Sequence, residues 1–271
     1  MLRAIASGVV VLLGVQTAAW GQTSGPRAQQ VPAFTWAGLY VGAYAGGAWG
    51  DSDLRTDAGS VTALSYFDTA ANINSVNQNG SGSLGPDAVV GGIQIGGNLQ
   101  TGNLVYGVEV DFGAFDLNGS RGAANVAYPT FAAASYTVRA SLDTDWLLTA
   151  RARVGWTNNA NLLIYATGGL AMTRLSISNS FSDNAPSDGI GGASNTELKT
   201  GWTLGGGAEW VLARHWTLKA EYLHVNFGSA TVSGSVNCGP AAFAGCTFSS
   251  PFSTSVDLSA HIAKLGINYR F

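Results

Sequence analysis

The sequence predicts an all-β fold, an eight-stranded antiparallel up-and-down transmembrane β-barrel. Three observations lead there. First, eight stretches alternate apolar and polar residues, and the connections between them alternate long polar segments with tight turns. Second, charged residues are only 11% of the chain while glycine numbers 37, where a water-soluble domain carries about 25% charge. Part of the surface is therefore expected to face something other than water. Third, no apolar run beyond the amino terminus approaches the ~20 residues of a membrane-spanning helix. A sheet closed on itself is the other structure that crosses a bilayer with every backbone group paired.

Met1–Gly21 is set apart from the fold. Arg3, the apolar run Ala4 to Val15 and then Ala19-Trp20-Gly21 have the layout of a cleavable secretory signal. Cleavage is placed after Gly21, with Ala19 a close rival. Residues 22–33 carry Pro and Gly without alternation and read as a flexible periplasmic lead-in. Residues 34–271 then form the barrel domain.

The first strand runs over about Gly38 to Trp49, with Leu39, Val41, Ala43 and Ala45 opposite Tyr40, Gly42, Tyr44 and Gly46; Asp51 to Asp87 reads as a long loop. The second, about Val89 to Gln100, sets Ile93, Ile95 and Leu99 against Gln94, Gly96 and Asn98. A tight turn at Thr101-Gly102-Asn103 makes a hairpin with the third, where Tyr106, Val108, Val110 and Phe112 oppose Gly107, Glu109, Asp111 and Gly113. A second long polar stretch covers about Asp116 to Thr144.

In the fourth strand Trp146, Leu148, Ala150, Ala152, Val154 and Trp156 oppose Asp145, Thr149, Arg151 and Arg153. After the short turn Thr157 to Asn161, the fifth sets Leu162, Ile164, Ala166, Leu170 and Met172 against Tyr165, Thr167 and Thr173. Beyond Arg174 the apolar residues Leu175 and Ile177 change parity, read as a bulge or the start of a loop. A third long loop reaches about Lys199. The sixth strand places Trp202, Leu204, Ala208, Trp210 and Leu212 against Thr203, Gly205, Gly207 and Glu209. The turn Ala213-Arg214-His215 leads to the seventh, with Trp216, Leu218, Ala220 and Tyr222 against Lys219 and Glu221; here Leu223 and Val225 change parity. A fourth long loop, about Gly228 to Ser255, precedes the closing strand, which ends in Leu265-Gly266-Ile267-Asn268-Tyr269-Arg270-Phe271.

The two parities differ in charge. None of the residues named on the apolar side is Asp, Glu, Lys or Arg, although the chain has 13 basic and 16 acidic residues. At a bilayer midplane Arg or Lys would cost about 2 to 4 kcal/mol. Glu109, Asp111, Arg151, Arg153, Glu209, Lys219, Glu221, Lys264 and Arg270 fall on the opposite, inward parity. They predict a belt of paired charges that plugs the inner half of a narrow interior, with Glu109 and Asp111 facing Arg151 and Arg153.

Tryptophan marks the two rims of the lipid band. Trp49, Trp146 and Trp202 are expected at the outer rim and Trp36, Trp156, Trp210 and Trp216 at the inner one, where an indole keeps its ring in lipid and its N–H near water. From Trp146 to Trp156 a tilted strand climbs about 25 Å, the height of the apolar band of such barrels.

Few residues invite chemistry. Cys238 and Cys246, the only cysteines, lie in the fourth long loop of an exported chain, where a disulfide is the simplest reading. Two thiols without a histidine cluster do not fill a tetrahedral metal site. Gly80-Ser81-Gly82-Ser83-Leu84-Gly85 matches a dinucleotide-binding pattern but has no helix after it. His215, His224 and His261 fall at different heights, and His224 with an acidic loop residue is the one candidate for a rim hydrolase. The expectation is no enzyme, no cofactor and no metal. A net charge of −3 argues against a nucleic-acid partner.

The segment Trp36-Ala37-Gly38-Leu39-Tyr40-Val41-Gly42-Ala43-Tyr44-Ala45-Gly46 and the ending at Phe271 together resemble the small, porin-like outer-membrane β-barrels of alphaproteobacteria, the outer-membrane immunogenic protein family. The resemblance spans Phe34 to Phe271. It implies an integral protein of the cell outer membrane, surrounded by outer-membrane lipid and exported through the periplasm. It also implies that the closing strand with Tyr269 and Phe271 is the signal read by the barrel-assembly machinery. A structural and surface-interaction role through four extracellular loops, with a host or other extracellular ligand, is the leading expectation. A small porin passing ions or small solutes is the alternative. Haem binding also occurs among the family's implied roles, but the loops show no His/Tyr cluster that singles it out. Pairing between copies is left open.

Overall fold

The computed structural model describes residues 34–158 and 161–271; the secretory signal and lead-in expected over 1–21 and 22–33 lie outside the described residues. The elements in chain order are β1 (Gly38–Asp57), α1 (Ala70–Gly80), β2 (Gly82–Leu84), β3 (Asp87–Thr101), β4 (Leu104–Phe115), β5 (Asn118–Ala127), β6 (Ser135–Thr157), β7 (Leu162–Asp183), β8 (Gly189–Ala213), β9 (Trp216–Cys238) and β10 (Ser249–Arg270). All strands join one antiparallel sheet. Pairing runs from β1 through β3, β4, β6, β7, β8 and β9 to β10, and β10 pairs with β1 from Tyr40↔Arg270 to Asp57↔Ser253.

The expected eight-stranded barrel is corrected on two counts. The sheet has ten strands among the described residues, because β2 and β5 form inside stretches read as loops. Neither segment alternates, and each pairs because a longer neighbour offers it an open edge: β2 lies along β1 and β5 along β6. The ring is also partial. Beyond Asp87 and Phe115, β2 and β5 face each other without a ladder among the described residues, and the break is crossed by the Arg121 Nε–H donating to the Ser81 carbonyl at 2.7 Å.

The long loops are largely strand. β1 continues to Asp57, β6 begins at Ser135, β7 reaches Asp183, and β9 extends to Cys238. These extensions look irregular in sequence because their chemistry inverts while their geometry continues. In β7 the odd residues stay buried from Leu163 through Tyr165, Thr167 and Thr173 to Leu175, Ile177 and Phe181. What changes is the outward face, which goes from Ile164 and Leu170 to Arg174, Ser176 and Ser180. The parity slip read after Arg174 is thus not in β7; the bulge lies across from it, where Asp145 and Trp146 of β6 interrupt the register between Thr144 and Leu147. In β9 the odd parity likewise runs on through Leu223, Val225 and Phe227, and it switches only at Gly228, whose φ of 66° suits glycine.

The inner half of the sheet is therefore apolar outside and polar inside, and the outer half is the reverse. Outward-facing Asp51, Asp53, Arg55 and Asp57 of β1 follow directly on Trp49. Inside the outer half, Leu54, Phe115, Leu142, Leu175, Leu223, Val256 and Leu258 form one buried cluster drawn from strands around the sheet. A second cluster caps it, where Ile73 and Val76 of α1 meet Phe67, Tyr136, Phe181 and Phe252. The helix starts because the Thr69 hydroxyl accepts the Asn72 N–H at 3.2 Å. Two apolar anchors one turn apart are a weak periodic signal, which is why this stretch reads as loop.

Candidate functional site: the buried charge cluster and the outer end

Alternation in the inner half of β4, β6, β8, β9 and β10 sends nine charged side chains to one face, and the structure brings them together. Glu109, Asp111, Arg151, Arg153, Glu209, Lys219, Glu221, Lys264 and Arg270 are all buried. The register sets Glu109 opposite Arg151. Arg151 Nη2 lies 2.6 Å from both Glu109 Oε1 and Asp111 Oδ2, and its Nη1 is 3.1 Å from Glu221 Oε2. Arg153 reaches Glu109 at 3.4 Å and, across the interior, Glu209 at 2.9 Å. Lys219 touches Glu109 at 2.6 Å and Glu221 at 3.2 Å, and Lys264 touches Asp111 at 3.4 Å and Glu221 at 3.1 Å. Arg270 lies 3.8 Å from Glu209 and donates to the Trp36 carbonyl.

Neutral groups complete the layer. The Tyr40 hydroxyl donates to Glu109 at 2.7 Å and accepts from Arg153 at 2.8 Å, and the Tyr165 hydroxyl donates to Glu221 at 2.8 Å. Thr149 and Thr217 donate to Asp111 and Glu209. The inward glycines of this half make room for the rings: a Cβ on Gly96 would run into Tyr40, and one on Gly113 into the Tyr44 hydroxyl. The sequence singled out the charges but not the three tyrosines, although the alternation of Tyr40 and Tyr44 with glycine in β1 was an available signal for two of them. Every carboxylate of the cluster has a cation beside it.

The tryptophans divide. Trp49, Trp156, Trp202, Trp210 and Trp216 are exposed on the outer face and Trp146 is half-buried there, in contact with Phe112. Trp36 is a correction: it is 0% exposed. The segment before β1 folds under the inner end, where the Trp36 indole donates to Thr157 at 3.0 Å and packs with Val105, Leu163 and Tyr165. Phe271 is exposed, its N–H donating to the Leu39 carbonyl at 3.1 Å, and Tyr269 packs edge-on against both Phe271 and Trp216.

The histidines are a correction: His224 and His261 do not fall at different heights but are paired by the register of β9 and β10, with ring centroids 4.7 Å apart. His261 lies 2.6 Å from the Tyr222 hydroxyl and 3.8 Å from Asp51, and among the described residues no serine is hydrogen-bonded to either ring. In the glycine motif, Gly80 ends a helix and Gly82–Leu84 is a strand, the reverse of the order that cradles phosphate. Cys238 and Cys246 are bonded, with Cα atoms 6.0 Å apart, closing the tip between β9 and β10. Replacing both by serine is expected to lower stability by about 2 to 3 kcal/mol in the chain-entropy limit. Proteolysis of refolded protein should then cut between 239 and 248 and leave the sheet intact; cleavage inside the inner halves of the strands would contradict this.

The chain matches the family described as "Outer membrane protein beta-barrel domain" over residues 7–271. It is 32% identical over 256 residues to the "31 kDa outer-membrane immunogenic protein" of Brucella melitensis biotype 1, covering 92% of this chain and 90% of that one. To the "25 kDa outer-membrane immunogenic protein" of Brucella abortus biovar 1 it is 26% identical over 198 residues, 73% of this chain and 68% of the relative. To the "22 kDa outer membrane protein" of Rhizobium leguminosarum bv. viciae it is 28% identical over 139 residues, 51% and 53% of the two chains. These descriptions name a membrane location and no reaction. The chain belongs to the outer-membrane β-barrel protein family, as an integral protein of the cell outer membrane that is exported through the periplasm.

Proposed function

We propose that this protein is a closed anchor that holds an interaction surface outside the cell. Its interior carries two successive fillings, the paired charges of the inner half and the apolar cluster of the outer half, and this pairing is the observation that supports closure. The exposed apolar face of the inner half meets outer-membrane lipid, with Trp49, Trp146, Trp156, Trp202, Trp210 and Trp216 at its borders. Residues 1–21 are the export signal, 22–33 the lead-in, and Tyr269 with Phe271 the contact for the barrel-assembly machinery. The strand extensions, α1 and the disulfide-closed tip stand beyond the lipid and present the surface on which an extracellular or host ligand binds.

Single-channel recording on the refolded wild-type chain in a planar bilayer tests closure. Near-zero current is expected. A steady wild-type conductance would overturn the closed interior and put a small porin in its place.

A further inference from the structure

At the outer end, above the second apolar cluster, lies a cavity of about 460 Å³. That is within the range of small-molecule sites, about 300 to 1,000 Å³. Its lining includes Tyr66, Phe67, Tyr128 and Phe131, and its only charged side chains among the described residues are Asp68 and Asp183. Neither aspartate forms an ion pair with a described residue, whereas each carboxylate of the inner layer has a cation beside it. Asp183 is instead held by neutral donors: the Tyr66 hydroxyl at 2.8 Å, the Tyr128 hydroxyl at 2.5 Å and the Gly189 N–H at 2.7 Å. Burial first, and then the hydrogen bond to Asp183, pushes both phenols well above their usual range, so they remain donors and fix the carboxylate in place.

A cavity lined with aromatic rings and carrying uncompensated carboxylates repels anions. It attracts a cation that also has apolar surface, because ring faces and carboxylates both favour positive charge. We infer that this cavity binds a small organic ammonium, such as a trimethylammonium head group. The ligand's charge supplies the counterion that the described residues do not, and its methyl groups pack on the rings. The inference rests on the reading of the outer end as an interaction surface and names a ligand class for it.

The test is calorimetric titration of the refolded chain in lipid nanodiscs with choline and with its uncharged isostere 3,3-dimethylbutan-1-ol. Choline is expected to bind at least about tenfold more tightly than the alcohol. Asp68→Asn should weaken choline several-fold and leave the alcohol unchanged. Asp68 is exposed and accepts a hydrogen bond from Asn72 Nδ2 at 2.9 Å, so the variant is expected to fold; heat-modifiable migration on a gel checks this. Equal affinity for the two probes, or no choline binding, overturns the inference. Because titration is independent of current, that failure would leave the closed interior standing, and a conducting wild type would leave the cavity standing.

Discussion

Arg151→Ala is expected to lower the unfolding free energy by about 3 to 5 kcal/mol, measured by urea titration of protein refolded into lipid vesicles. Arg151 is the hub of the inner layer, contacting three carboxylates within 3.1 Å. Formal balance is not what its loss destroys. With five cations and four carboxylates in the layer, the variant keeps four of each. The cost arises because Asp111 is left with Lys264 at 3.4 Å as its cation, and Glu221 loses its arginine fork, both away from water. Arg151→Lys should recover part of the loss, since a point charge replaces a planar fork that suits two carboxylates at once. Current through Arg151→Ala should nevertheless stay near zero, because Leu142, Leu175 and Leu223 still fill the section above it. A change below about 1 kcal/mol would mean that water already reaches these groups and that the layer is not dry.

Phe181→Ala should be comparably costly, about 3 to 5 kcal/mol, at a site 2% exposed where a cavity would be left behind. The Phe181 ring lies 5.3 Å from Phe67, and 6.0 Å from both Tyr136 and Phe252, so it joins β7 to β6, β10 and the segment before α1. The informative comparison is Leu204→Ala. Leu204 is apolar too, yet 60% exposed on the lipid side of β8, and its loss removes little packing. Limited proteolysis should open the Phe181→Ala protein near residues 58–81 while its inner half stays resistant. Equal stability of the two variants would show that the outer half has no packed core.

The strands of the inner half were legible because period-two alternation is local: side chains of neighbouring residues must point to opposite faces, and Ile93 beside Gln94 or Ala150 beside Arg151 records two environments. The charges at Glu109 and Arg151 were legible for the same reason, since lipid excludes them from the other face. The outer half was not. Alternation reports that two faces differ but not what each one touches, and along β7 the outward residues change from apolar at Leu170 to charged at Arg174 without a change of parity. Leu175 and Ile177 therefore looked misplaced until the interior across from them proved apolar. Helix α1 and strands β2 and β5 escaped because their own sequences carry little preference; the open edges of β1 and β6 and the apolar mouth beneath α1 impose their structure. By itself the sequence determined the membrane-facing strands and the pairing chemistry inside them. The tertiary structure alone decided that the interior fills twice over, that Trp36 turns inward, and that the ring opens between β2 and β5. Those outcomes depend on contacts between residues far apart in the chain, which no local pattern contains.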